Sequence, residues 1–417
     1  MNVLVLGAGA VGTVSALKFL ANPLFEQIVV ADAVPTRSQR LADRLSDPRV
    51  RAVTLDARDQ AVVACAVRET GTTLLLNAAL PTTNMPVMRA CLEADCDYFD
   101  LASGGGGTNA DGLPSPDDQF ALDTAFRSRG RLALLGIGAD PGTSNIYAAY
   151  IAKHLLDRVT AFHVRDGDNA VYDGRGRFVP AFSPWVFIDE CLCPATLYRD
   201  GRFSRAEPMT RPEPFDFPEL GTLTCYLVDH EETKTLPRFF PGLEAADFKV
   251  VLSDATLETL RVLCRTGLLR TGAVRVGGVE VAPRDLVVAL LPRPADLAGK
   301  LRGQSCVGTL GLGFKDGKPR AYYVYNVADH EQVYAELGVQ ATAYQTGIPP
   351  VVAAELLAEG VWRGAGVMSP EQFDPDPFLE RLAAAGMPWR VRETAAAPPV
   401  RSWRPWRRRA RVTDRVA

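Results

Sequence analysis

One glycine-rich turn near the start of the chain restricts its fold more than any other feature. Val3-Leu4-Val5-Leu6 is an unbroken apolar run, the pattern of a strand buried on both faces of a parallel sheet. Gly7-Ala8-Gly9-Ala10-Val11-Gly12 follows at once, and Thr13 to Leu20 then reads as a helix. G-x-G-x-x-G between a strand and a helix is a dinucleotide-binding turn. Gly7 permits the tight bend, Gly9 lets the backbone approach a pyrophosphate, and Gly12 lets the helix lie against the strand. The helix that starts at Ala10 and Val11 offers free N–H groups and a partial positive charge to the phosphates.

The apolar run Ile28 to Ala31 ends at Asp32 and Ala33. A carboxylate there accepts from the adenosine ribose hydroxyls and repels a 2′-phosphate, which favours NAD. Arg37 lies close enough in sequence to leave NADP open. Strand candidates Arg51–Leu55, Thr73–Asn77, Tyr98–Leu101 and Arg131–Leu135 are separated by helical stretches at Asp59–Arg68, Asn84–Ala94 and Asp117–Arg127. This alternation is that of an α/β fold, a doubly wound Rossmann domain. Ligands bind beyond the carboxyl ends of such strands. Asp56 and Ala57 therefore fall beside adenine, and Asn77, Ala78, Ala79 and Leu80 over the pyrophosphate and nicotinamide ribose. Asp100-Leu101-Ala102 ends the fifth strand, where Asp100 is read either as a ligand contact or as a turn residue. Gly104–Gly107 reads as a loop over the catalytic edge, because glycine runs carry too much backbone entropy for regular structure.

After the sixth strand, Gly136-Ile137-Gly138-Ala139-Asp140-Pro141-Gly142-Thr143-Ser144-Asn145 opens a helix expected to run to Leu156, with Thr143 or Ser144 as its cap. Asp140 thereby falls at the nicotinamide end. The pattern then changes. Thr160–Asp166, Thr222–Val228, Phe248–Leu252 and Arg320–Asn326 read as strands joined by Pro-rich loops such as Pro208 to Pro218, an α+β domain with a mixed or antiparallel sheet. Its polar candidates are His230-Glu231-Glu232, Asn326 and Asp329-His330. A helix at Ile348–Glu359, apolar on one face, is expected to pack back on the first domain.

A net charge of -3, with 47% hydrophobic and 23% charged residues, fits a globular chain and excludes nucleic acid as its main partner. The exception is the Arg-rich stretch Arg401 to Arg415, read as a solvated tail. The eight cysteines form no C-x-x-C pair and have no histidine at zinc-like spacing, so reduced thiols, a cytoplasmic setting and no metal centre are expected. No apolar run is long enough for a membrane span, and no targeting segment precedes the first strand.

GAGAVG, Gly138–Asn145 (GADPGTSN), HEETKTLPRF at 230–239, YNVADHE at 325–331, AYQTGIPPVVAAELLAEG at 343–360 and FDPDPF at 373–378 together resemble the saccharopine dehydrogenase superfamily. The likeness runs to about residue 392 and is strongest to the carboxynorspermidine dehydrogenase branch. The resemblance implies an NAD(P)-dependent oxidoreductase that reduces an imine formed from an amine and an aldehyde or keto acid, or runs the reverse. It implies a Rossmann domain of residues 1–145 and 341–392, a substrate and dimerisation domain of 146–340, and a tail of 393–417. Leu101, Ala102 and Ser103 then lie beside the nicotinamide. Asp100, Ser103, Asp140, Asn145, His230 and Asn326 become substrate contacts, with Asp140 holding the cationic nitrogen and His230 exchanging the proton near neutral pH. Fungal reductases of the family carry a carboxylate-gripping arginine where this chain reads Val228-Asp229-His230-Glu231, so saccharopine itself does not carry over. A deaminase of the lysine 6-dehydrogenase type and a non-catalytic dinucleotide sensor are the competing readings.

Overall fold

The first apolar run forms β1 (Asn2–Leu6), whose alternate side chains enter two different cores. Val3 and Val5 pack with Val14 and Phe19, while Leu4 and Leu6 pack on the other face with Val63, Val87 and Met88. That two-sided burial is why the run is apolar throughout rather than alternating. The structure is a computed structural model that describes residues 1–103, 116–174 and 178–394. The expected Gly104–Gly107 loop lies outside the described residues, as does the tail beyond Thr394.

Five more strands follow: β2 (Gln27–Asp32), β3 (Val50–Thr54), β4 (Leu74–Asn77), β5 (Asp97–Asp100) and β6 (Leu132–Leu134). With the late strand Gly366–Met368 they form one seven-stranded parallel sheet, in the order Gly366–Met368, β6, β5, β4, β1, β2, β3. This is the doubly wound Rossmann arrangement, extended by a strand from the far end of the chain. Two local readings are corrected. A helix at Pro35–Leu45, absent from the sequence reading, joins β2 to β3 and buries only Ser38, Leu41 and Leu45. The single helix expected at Asp117–Arg127 is two short ones, Asp117–Phe120 and Asp123–Ser128.

After residue 340 the chain packs against the first helix again. The helix Ala341–Gly347 lies on the first helix, Ala10–Ala21, so closely that a Cβ on Gly347 would come 2.6 Å from Val14. Ser15 Oγ donates to Gly347 O at 2.8 Å, and Lys18 Nζ to Ala385 O at 2.8 Å. The next helix, Pro349–Ala358, is buried around most of its circumference rather than on one face. The last strand, Trp389–Thr394, pairs with Lys318–Asp329 of the second sheet.

The second sheet has nine strands and is mixed. Arg158–Asp168 is central, parallel to Ala245–Val251 and antiparallel to Gln304–Lys315. Gln304–Lys315 was missed because Gly308, Gly311 and Gly313 dilute its strand signal. Gly308 and Gly311 are close-packing positions: an added Cβ would come 2.6 Å from Tyr323 and from Ile151 respectively. The expected loop Pro208 to Pro218 contains a strand, Thr210–Phe217. It pairs only with Gly221–Leu227, and its register shifts between Thr210 and Glu213, so the missing N–H groups of Pro212 and Pro214 are tolerated. No helix among the described residues is long and apolar enough to cross a membrane.

Candidate active site

The two sheets share a cleft of about 870 Å³ whose two ends differ in charge. One end is the glycine turn. Gly7 has φ +112°, and a Cβ there would meet Ala78 O at 2.6 Å. Gly12 sits so close that its Cβ would come 1.9 Å from Gly7 O, whereas a Cβ on Gly9 would meet nothing within 4 Å. The turn thus packs tightly everywhere except at Gly9, which opens onto the cleft beside the first amides of the helix. This cradle fits a pyrophosphate, and a dinucleotide held there would supply or accept hydride at its nicotinamide ring.

Asp32 closes the cleft beside the glycine turn. Its oxygens accept from Ala8 N at 3.0 Å and Val34 N at 2.9 Å, and Arg37 stands 3.9 Å away. Arg40, Arg44, Arg58 and Arg293 line the same region, with Arg58 paired to Asp56. Ala33, Ala57, Asn77, Ala78, Ala79, Leu80, Leu101 and Ala102 also line the cleft, as do Gly9, Ala10 and Val11.

The other end is acidic. Asp140 follows the β6 turn and meets Asp166 from the central strand of the second sheet, Glu190 from the helix Pro184–Leu192, and His230 with Glu231. No lysine or arginine among the described residues lines this end. Burial pushes Asp140 well above the usual carboxylate range, and the nearby Asp166 adds to it. Burial raises Asp166 to about 7 and Glu190 to about 8, and raises Glu231 as well. Burial opposes a charge on His230, but Glu232, Glu231 and Glu190 outweigh it and lift the imidazole well above its ordinary value.

Several expected contacts lie elsewhere. Gly12 and Ser103 do not line the cleft, and neither do Asp100, Asn145 and Asn326. Asp100 is 1% exposed and accepts from Gly136 N at 2.5 Å, Gln119 Nε2 at 2.8 Å and Tyr98 OH at 3.0 Å. It ties β5 to the turn after β6, the turn-residue alternative of the sequence reading. Asn145 accepts from Gly142 N and donates to Thr235 and Glu371; the cap of the helix Thr143–Tyr150 is Gly142, not Thr143 or Ser144, and Asn145 reaches back from the third helical position to satisfy its N–H. Asn326 links Tyr147 OH to Gln345. Asp329 caps the helix His330–Leu337, and His330 bonds Asp168 Oδ2 at 3.2 Å.

Residues 3–133 match the saccharopine dehydrogenase NADP binding domain, and residues 138–387 the saccharopine dehydrogenase C-terminal domain. This chain belongs to the saccharopine dehydrogenase family. As a member of the saccharopine dehydrogenase family it is an NAD(P)-dependent oxidoreductase acting on CH–NH groups. It is 34% identical over 395 residues to carboxyaminopropylagmatine dehydrogenase of Synechocystis sp., covering 93% of this chain and 96% of that protein. It is 32% identical over 411 residues to carboxynorspermidine synthase of Vibrio cholerae, covering 96% and 99%. The fold is similar to that of the L-Glu-forming saccharopine dehydrogenase of Saccharomyces cerevisiae, with a TM-score of 0.69, 16% identity, and 94% and 100% of the two chains covered. It is equally similar to homospermidine synthase of Legionella pneumophila solved with NAD, with a TM-score of 0.70, 16% identity, and 99% and 95% covered.

Within this saccharopine dehydrogenase-family cleft, Asp166, Glu190 and Phe248 were missed by sequence reasoning. Asp166 sits near the end of a strand that sequence patterning found, but only the second sheet's topology turns it toward Asp140. Glu190 lies on a helix the sequence reading did not separate from its loops.

Proposed function

We propose that this chain reduces the C=N bond joining a polyamine-type amine to a carbonyl compound that carries an amino-acid head, and runs the reverse oxidation when product accumulates. The observation that carries this reading is the acidic end of the cleft, where Asp140, Asp166, Glu190 and Glu231 face a hydride site with no described lysine or arginine beside them. Such a wall attracts a multiply charged amine and stabilises an iminium, whose positive nitrogen replaces solvent as the partner of partly desolvated carboxylates. The names of the two relatives, both describing carboxylated polyamines, point to the same substrate class. The dinucleotide lies along the glycine turn, with its nicotinamide toward Leu101, Ala102 and Asp140. Asp140 holds the cationic nitrogen, and the neighbouring walls keep the reacting carbons in register.

The same proposal covers organisation. Residues 1–145 and the segment from 341 form the cofactor domain, and 146–340 the substrate domain. The chain acts as a homodimer, supported by the exposure of Val276, Val279 and Leu290 on the substrate domain at 62%, 63% and 78%. It acts in the cytoplasm, supported by eight cysteines held as free thiols.

The test is loss of NAD(P)H absorbance with agmatine or a linear diamine plus an α-amino acid bearing a side-chain aldehyde, with the product identified by mass. A joined secondary amine is expected. Release of ammonia from the amine alone would replace the proposal with oxidative deamination, and dinucleotide binding without turnover would replace it with a sensor. Asp140→Asn should lower kcat/KM for the amine about 10- to 100-fold, the scale of a charge-assisted hydrogen bond, and leave dinucleotide affinity unchanged.

A further inference from the structure

Contacts on several sides hold His230 and leave one ring atom for the cleft. The imidazole stacks on Phe248 with centroids 3.7 Å apart and planes 7° from parallel. Thr233 Oγ1 donates to its carbonyl at 2.6 Å, and Nδ1 is hydrogen-bonded to Glu232. Glu232 is 0% exposed, and its other oxygen accepts from Ser144 Oγ at 2.7 Å. The polar atoms of His230, Glu231 and Glu232 lie within 4.8 Å of one another. Nε2 has no hydrogen bond among the described residues and stands 3.9 Å from Glu190. Ser144 belongs to the first turn of the helix that follows Asp140, and its N–H bonds Ala139 O at 2.9 Å. One short helix start therefore anchors both Asp140 and, through Ser144 and Glu232, His230.

We propose that Glu232, seated by Ser144, is a positioning residue that keeps Nδ1 of His230 protonated and presents Nε2–H to the substrate as a proton donor. Neither Glu232 nor Ser144 lines the cleft, so both act through the imidazole. The assignment rests on the amine–carbonyl reading above. In the joining direction the amine nitrogen adds to the carbonyl carbon to give a carbinolamine. Its hydroxyl oxygen takes the proton from Nε2, the C–O bond breaks, water leaves, and the nitrogen lone pair forms the iminium C=N bond. A bound NAD(P)H would supply the hydride to the iminium carbon, the π pair returning to nitrogen, and Nε2 regains its proton from solvent. The groups facing the imidazole are Glu190, Glu231, Asp140 and Asp166 in addition to Glu232. Lys234, four residues along the chain, is engaged with Asp229. Burial works against the imidazolium, and the carboxylates, Glu232 foremost, outweigh it and raise the imidazole well above its ordinary value.

Histidine-selective NMR titration of the full chain, with and without NADP⁺, tests this. The chain has four histidines, and comparison with His230→Gln assigns the relevant resonance. Glu232→Gln, which keeps shape and removes charge, should lower the His230 titration by about one pH unit or more. The alkaline limb of the kcat/KM profile should move with it. The same variant should lose about 10- to 100-fold in kcat, while KM for the amine and dinucleotide affinity stay within about twofold. Glu232→Asp should restore part of both effects. A folded Glu232→Gln chain with unchanged titration and unchanged pH profile overturns the assignment. If that variant does not fold, Ser144→Ala retains the carboxylate and should show the same shift at smaller size, and no shift there overturns it equally. The titration needs no substrate, so a wild-type chain inactive on every amine and carbonyl pair would reject the function reading while the titration still decides the positioning.

Discussion

Asp32 holds the glycine turn with the same two oxygens that the proposed dinucleotide site would use. Accepting from Ala8 N and Val34 N fixes the ends of β1 and β2, and the remaining lone pairs are left for the adenosine ribose of the proposed dinucleotide site. Arg37 at 3.9 Å offsets the charge, and exposed Arg40 has no partner among the described residues. A 2′-phosphate therefore meets guanidinium as well as carboxylate, and both dinucleotides are expected to bind. Arg40→Ala should weaken NADPH about tenfold, one lost phosphate contact of about 1.4 kcal/mol, and NADH by less than about twofold. Fluorescence titration of both cofactors decides it, and equal losses would remove Arg40 from phosphate recognition. The position of Asp32 beside the glycine turn was legible in the sequence because its spacing from the glycines is a local property of one βα unit. Asp166 and Glu190 were not, because their convergence on Asp140 depends on pairings between segments far apart in the chain. Asp100, Asn145 and Asn326 stood at suggestive positions, yet each spends its hydrogen bonds inside the protein.

At the scale of elements, the glycine turn separates folding from binding. Gly12 touches backbone, with its Cβ site 1.9 Å from Gly7 O and 3.1 Å from Gly7 C, so neither neighbour can yield by rotating a side chain. Gly9 touches nothing within 4 Å. Gly12→Ala is expected to lower the melting temperature clearly, at about 1–3 kcal/mol or more, and to lose the cofactor with it. Gly9→Ala should melt as wild type and bind NAD(P)H at least about tenfold more weakly, because its new methyl occupies the approach of the pyrophosphate. A Gly9→Ala chain with full affinity would place the pyrophosphate elsewhere. Elements whose signal is local, such as β1, β2 and the helix Asn84–Ala94, were readable. The helix Pro35–Leu45 was not, because three buried positions on a strongly polar segment make a faint stripe. The edge strand Thr210–Phe217 hid behind its prolines, which a strand paired on one side accommodates.

Across the whole molecule, the acidic cleft ties stability to pH and to ligand. Asp166 at about 7, Glu190 at about 8, and the structural carboxyls Asp100 at about 7 and Glu371 at about 6 all bind their protons more tightly folded than unfolded. A raised folded pKa contributes stability that is complete below about pH 4 and lost as pH climbs through the folded value. His230, raised by its carboxylates, acts in the same direction at higher pH. Depressed carboxylates such as Asp56, at about 2, and Asp247 are ionised in both states above about pH 5 and add no slope there. The ligand-free protein should therefore lose melting temperature steadily from about pH 5 to about pH 9, each unmatched proton contributing about 1.4 kcal/mol per pH unit. A polyamine reverses the sign of the problem. Its ammonium groups favour ionised Asp140, Asp166 and Glu190, so binding should release protons to solvent and raise the melting temperature most near pH 8, where both partners are charged. Thermal unfolding across this range, with and without agmatine or a linear diamine, measures both effects. A melting temperature that is flat or rising between pH 5 and 9, or a diamine that stabilises best at pH 5, would mean that the acidic end is not the amine site.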